Sequence, residues 1–273
     1  YIHGFLEKTE NNINRYITAK GVEWSNNKSF IIGLSEIIIY SGENRNIEFG
    51  YFNPISSHLE IEWNKRLSHQ SEGDGNAVWQ ISSDILLKRK VRFSFNFLFD
   101  ELTIDDKKKR NRSHATAMSL RISFPLSKSF KNKIILYSNY IYVGTPTFRH
   151  GSGYNNFVQK NVPLGWEYGS DSNQSAIGIN HFSSIVKKII FSNFEINYRK
   201  EGEENILYRP YTKYKDFTID SFPSGENIKN LEFKSVIKLW YKSNLSVDFN
   251  FNIGKLNTPK KVFKSSFGVN FYI

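Results

Sequence analysis

The sequence predicts an all-β chain, an antiparallel up-and-down transmembrane β-barrel. Three observations lead there. Apolar and polar residues alternate along many segments, several of these segments run to about ten residues or more, the length a tilted strand needs to cross a bilayer, and the connections between them are long and short in turn. The clearest alternation is at 245–253. Leu245, Val247, Phe249, Phe251 and Ile253 point one way, and Ser246, Asp248, Asn250 and Asn252 the other.

About twelve segments read as strands from alternation and from β-branched or aromatic enrichment. In chain order they are 1–9, 16–24, 29–40, 77–88, 90–102, 115–126, 132–144, 175–185, 188–200, 231–242, 245–256 and 262–273. The fifth carries a row of phenylalanines, Phe93, Phe95, Phe97 and Phe99, after Val91, with Arg92, Ser94, Asn96, Leu98 and Asp100 opposite. Lipid on one side and water or polar packing on the other would favour such a strand. The last segment sets Phe263, Phe267, Val269, Phe271 and Ile273 against Lys264, Ser266, Asn270 and Tyr272.

The connections at 25–28, 89, 127–131, 186–187, 243–244 and 257–261 are short, 103–114 is intermediate, and 41–76, 145–174 and 201–230 are long. An up-and-down barrel collects the long loops on one rim and the tight turns on the other. A soluble sandwich also alternates, with its apolar row inside, but its topology gives no reason for this regularity. The expected organisation is one barrel domain over 1–273. A terminal strand with apolar residues at alternate positions is similar to the C-terminal strand of bacterial outer-membrane barrels. That likeness implies an outer-membrane location with the long loops extracellular.

Composition bounds the function. The 273 residues are 16% aromatic and 23% charged, with 23 Phe and 15 Tyr. The absence of an apolar run of about 18 residues excludes a membrane-spanning helix. A mean hydropathy of −0.47 is compatible with barrel strands, which need only one apolar face. With no Cys, disulfides, thiolate chemistry and Cys-based metal sites are excluded, and the redox compartment is left open. The chain opens on Tyr1 with no charged-then-apolar signal segment, as a mature or N-terminally incomplete chain would. A net charge of +11 calls for an acidic partner, such as nucleic acid, anionic lipid headgroups or an acidic glycan, or for local carboxylates and lipid phosphates.

Four motifs occur in order: FIIGLSEIIIY at 30–40, YFNP at 51–54, LFDE at 98–101 and PLGWEYGSDS at 163–172. Their order and spacing resemble the Wzi-type capsule assembly family of outer-membrane barrels. The last motif is similar to that family's Leu-Gly-x-x-x-Gly-x-Asp loop. The resemblance implies a barrel that binds capsular or other surface polysaccharide and helps attach or assemble the capsule, and it covers roughly 29–179. The family's barrel is larger, so this chain would be its C-terminal part or a trimmed relative. Two other readings stand beside it, an accessory subunit of a larger outer-membrane complex and a passive pore.

The long loops combine aromatics with Asn, Asp and Arg, the chemistry that stacks on sugar C–H faces and takes hydroxyls. Trp63, Arg149, Tyr154, Trp166 and Asp171 are the expected polysaccharide contacts. The bland alternative is an interfacial aromatic belt or a plug. Glu36, in mid-strand, needs a cation, and Arg92 or Arg121 is the expected partner in a lumenal ion pair. The basic run at 105–112 reads as a rim loop facing lipopolysaccharide, with no nucleic-acid partner. The six His show no metal spacing, no Ser, His and Asp set can be assembled, and neither cofactor nor catalysis is expected.

Overall fold

The structure, a computed structural model, describes residues 1–9, 12–58, 60–61, 75–101, 114–127, 129, 131–185, 188–213, 221–242, 244–255 and 261–271. Its strands are β1 (Ile2–Phe5), β2 (Ile13–Ser25), β3 (Phe30–Glu43), β4 (Gly75–Leu87), β5 (Val91–Glu101), β6 (Ala115–Pro125), β7 (Asn132–Val143), the two-residue β8 (Val158–Gln159) and β9 (Val162–Pro163), β10 (Ser172–Ile185), β11 (Lys188–Glu201), β12 (Ile228–Lys242), β13 (Leu245–Lys255) and β14 (Lys261–Phe271). β8 and β9 form a small hairpin. The other twelve form one antiparallel meander in sequence order. Among the described residues no pairing joins β14 back to β1.

The expected strands are therefore present. The segment expected as a strand over 1–9 pairs only as β1. Beyond it Leu6 still donates its N–H to the Arg15 carbonyl at 3.0 Å, and the chain then leaves the sheet so that Glu7 reaches Arg15. The tight turns have local causes. The side-chain oxygen of Asn26 accepts the N–H groups of Lys28, Ser29 and Phe30, with Asn27 in the left-handed region. The β4–β5 turn, closed by the Lys90 N–H on the Leu87 carbonyl at 2.9 Å, puts Lys88 and Arg89 at φ 47° and 57°, the mirror-image turn that matches the twist of hairpin strands.

Alternation decides which side chains share a face. On one face lie Ile17, Ile37, Ile39, Val78, Leu98, Ala117, Ile141 and Val143, packed on Phe148, Phe157 and Val158 of the chain between β7 and β10. This is the lumenal face, filled near the long-loop rim. The opposite face carries Val22, Trp24, Leu34, Ile177, Ile196 and Phe267, all exposed, together with the Phe93–Phe99 row, which pairs with Ile85, Ile81 and Trp79 of β4. So broad an apolar band suits lipid and not water. No helix among the described residues is long and apolar enough to cross a membrane.

Candidate functional site: the plugged lumen

Two segments, 144–171 and 203–213, fold into the long-loop end of the lumen as a plug. Their backbone polar groups, cut off from water, need partners, and strand side chains supply them. The guanidinium of Arg15, buried on β2, donates to the carbonyls of Tyr154 at 2.6 Å and Asn156 at 2.9 Å and pairs with Glu7 at 2.6 Å. The Asn155 side chain accepts from Ser41 at 2.6 Å, and its carbonyl takes the Asn76 amide at 3.1 Å. Asn156 donates to the carbonyls of Pro210 and Thr212, tying the two plug segments together. Gly153 is required where it stands, because a Cβ there would overlap the Tyr211 carbonyl.

Glu7 is the hub between plug and wall, accepting from Arg15, from the Tyr211 hydroxyl and from the Lys160 N–H. Burial works to raise its carboxyl pKa, but the Tyr211 hydroxyl, backbone donors and the Arg15 charge outweigh burial and leave it lowered. Burial, reinforced by the hydrogen bond to Glu7, pushes the Tyr211 hydroxyl up to about 12.

A second polar cluster lines the β10–β12 side. Arg199 pairs with Glu201 at 2.5 Å, approaches Glu232 at 3.8 Å and lies 3.5 Å from the centre of the Tyr168 ring. The Tyr208 hydroxyl and the Asn230 amide donate to Glu201. Around it the lumenal wall holds buried polar atoms with no hydrogen-bond partner among the described residues, including both amide atoms of Asn197 and Oε1 of Gln174. Beneath the plug, against β4–β7, is a cavity of about 420 Å³ walled by Val78, Leu98, Ala117, Ile141, Phe148 and Trp166.

The residues expected to contact sugar divide. Trp166 lines this cavity, edge-on to Tyr168 at 5.3 Å. Tyr154 is part-buried, its ring 6.2 Å from Tyr211. Arg149 is 3% exposed and spends its guanidinium on the carbonyls of Glu204, Arg209 and Thr212. Burial, partly offset by Glu204 and Asp171, lowers its pKa to about 10. Asp171, 0% exposed, accepts from Thr145, from the Ser224 N–H and hydroxyl and from the Glu204 N–H. Trp63 lies outside the described residues, as does the basic run at 105–112.

The expected pairing of Glu36 with Arg92 or Arg121 is not the one found. Glu36 occupies an outward position of β3 and binds Lys20 directly across the β2–β3 ladder at 2.8 Å and His58 at 2.8 Å. Arg92 and Arg121 sit on the lumenal face, where Arg92 pairs with Asp84 at 2.9 Å and Arg121 lies 4.2 Å from the centre of the Tyr137 ring. Strand parity separates the partners, since no side chain reaches through a sheet. The Arg15 and Arg199 clusters, missed in the sequence, were signalled there only by charged residues at inward-facing parity near the long-loop rim. Among the described residues, no group of His, Asp and Glu is arranged to hold a metal.

No protein-family model matches the chain and no curated protein matches it in sequence. Among solved structures it is similar to Wzi of Escherichia coli, an outer-membrane protein involved in group 1 capsule assembly and described as a carbohydrate-binding β-barrel, with a TM-score of 0.65 and 14% identity over 98% of this chain. A match to the CymD monoaromatic hydrocarbon channel has a TM-score of 0.37 and 10% identity, covering 99% of this chain and 77% of that one. The chain spans about half of the Wzi barrel, 54% of its length, and what the two share is the fold of an outer-membrane β-barrel.

Proposed function

We propose that this chain is an outer-membrane barrel of the Wzi kind that binds surface polysaccharide and helps attach or assemble the capsule, with its long loops facing outward, its apolar wall in lipid and lipopolysaccharide, and no catalytic role. The observation that carries the reading is the plug. A lumen filled by the chain's own segments, cross-tied through Arg15, Asn155, Asn156 and Arg149, suits a binding surface and not an open pore. In this reading Trp166 and Tyr154 stack on sugar, with Trp63 as a further contact. Arg149 and Asp171 act on the ligand only by holding the loops in place.

The test is the amount of cell-bound against shed polysaccharide in a strain lacking the chain, complemented with the natural sequence or with Trp166→Ala. Loss of the chain is expected to shed polymer without lowering total synthesis. Trp166→Ala is expected to weaken binding of the purified barrel to that polymer about tenfold, as loss of a central aromatic contact does. Unchanged retention in the deletion strain overturns the proposal. The accessory-subunit reading has one observation in its favour, the β14 edge, whose backbone has a strand partner on one side only among the described residues. Stoichiometric companion chains after mild-detergent purification would support it.

A further inference from the structure

We propose that the lumen holds a site for an anionic amphiphile, a phosphate or carboxylate carrying a single apolar tail, with the head at the short-turn end and the tail beneath the plug. The site goes beyond polysaccharide recognition and does not depend on it. Two separate features on the same wall point to it.

The first is charge. At the short-turn end of β4–β7 a cavity of about 550 Å³ is lined by Arg89, Lys90, Arg92, Arg121 and Lys133, with Asp84 the single carboxylate. Asp84 is already satisfied by Arg92, through Nε at 2.9 Å to both oxygens, and by the Ser94 hydroxyl at 2.7 Å. Among the described residues no carboxylate pairs with Arg89, Lys90, Arg121 or Lys133. Arg121 is held in place by the face of Tyr137, whose hydroxyl is fixed by Glu195 at 2.8 Å and Asn193 at 2.8 Å. Cations without a carboxylate partner among the described residues, converging on one concave space, raise the local concentration of anions, and guanidinium groups are suited to phosphate and carboxylate oxygens.

The second feature is the apolar chamber of about 420 Å³ under Phe148, Phe157 and Trp166. Both cavities are of the size that small-ligand sites take, roughly 300–1,000 Å³. They meet on β5 and β6. Asn96 and Ser119 line the apolar chamber, and the next inward positions, Ser94 and Arg121, line the basic one. Inward positions repeat every second residue, about 7 Å apart along a strand. On this wall Gln80 donates to Asn96 at 3.1 Å and Asn96 to Ser119 at 2.9 Å, so these polar groups have partners within the sheet. A tail in the upper chamber therefore leaves its head among the cations below.

The test uses the whole chain in neutral-detergent micelles, with bound ligand counted by native mass spectrometry. The probes are dodecyl phosphate, butyl phosphate, laurate and inorganic phosphate. The expected result is one dodecyl phosphate or laurate retained, with affinity rising from butyl to dodecyl and inorganic phosphate at least about tenfold weaker. Arg121→Gln with Lys133→Gln is expected to weaken dodecyl phosphate about tenfold, the scale of lost charge-assisted hydrogen bonds. Ala117→Leu, filling the chamber, should weaken dodecyl phosphate and leave inorganic phosphate unmoved. If that variant fails to fold, judged by circular dichroism, the chain-length series on the natural sequence decides the same point. Equal affinity for inorganic and dodecyl phosphate would overturn the tail half, and dodecyl binding indifferent to the double substitution would overturn the head half. Either result sinks the proposal.

Discussion

The two segments that leave the long-loop rim on either side of β4–β7 fold in opposite directions, and β3 serves both. The chain after β3 turns outward. There Tyr51 stacks on Tyr40 with ring centres 4.3 Å apart, and Tyr16, Ile38 and Ala77 join them in a cluster on the outer wall. The chain after β7 turns inward, and Ile39, one residue from Ile38 and Tyr40, packs on the plug. The outer flap is held by aromatic stacking, by the Lys20–Glu36–His58 group and by side-chain donors from Tyr1, Asn14, Tyr16 and Lys20 to its carbonyls, while the plug relies on a denser set of buried side chains that serve backbone carbonyls and N–H groups. Flat stacking on an apolar wall needs few directional contacts. A loop buried against the lumenal face must have its own polar groups satisfied, because an unpaired buried group costs about 1–3 kcal/mol.

That difference predicts unequal responses to breaking each one. Asp171→Ala orphans the donors from Thr145, Glu204 and Ser224 and is expected to cost about 3 kcal/mol or more. In micelles it should lower the urea midpoint and open 145–213 to protease while the flap stays protected. Glu36→Ala leaves Lys20 and His58 without their carboxylate on the outer wall. Its expected cost is smaller, about 2 kcal/mol, the scale of leaving a buried hydrogen-bonding group unsatisfied, because Lys20 keeps its contact with the Ser56 carbonyl. Limited proteolysis should then cut within 44–61 first. If both variants exposed the same sites, flap and plug would be one cooperative unit and the contrast would fail.

Strand parity was legible because alternation is a property of single residues. It placed the phenylalanine row of β5 and the apolar side of β13 correctly relative to their polar neighbours. The run Ile37–Tyr40 hid its meaning, since a strand buried on both faces looks the same whatever covers each side. Glu36 was recognised as needing a cation, but its face could not be read without knowing which row met lipid. Arg149 and Asp171 were singled out for chemistry that suits a sugar. The same hydrogen-bonding capacity equally suits loop carbonyls and N–H groups, and only the path of 203–213 and 221–227 through space decides between them. Trp166 is chiefly an apolar ring, and it lines the cavity beneath the plug.

The smallest expected effect sharpens the comparison most, because it tests the plug alone from both ends of the pH scale. Glu7 has a lowered pKa in the folded chain, so its contribution is full above the ordinary carboxylate range and is lost as pH falls through the lowered value. Tyr211 has its pKa raised to about 12, so its contribution is full below the ordinary tyrosine value and lost as pH rises through about 12. The plug's protection should therefore decline at both extremes, measured as hydrogen exchange of 145–171. The flap, held in part by the Glu36 carboxylate, should lose protection in acid on its own account, and Glu7→Gln should leave that loss unchanged. Glu7→Gln removes the acid limb and Tyr211→Phe the alkaline one, each at modest cost. An acid limb that survives Glu7→Gln would mean that another carboxylate holds the plug to the wall.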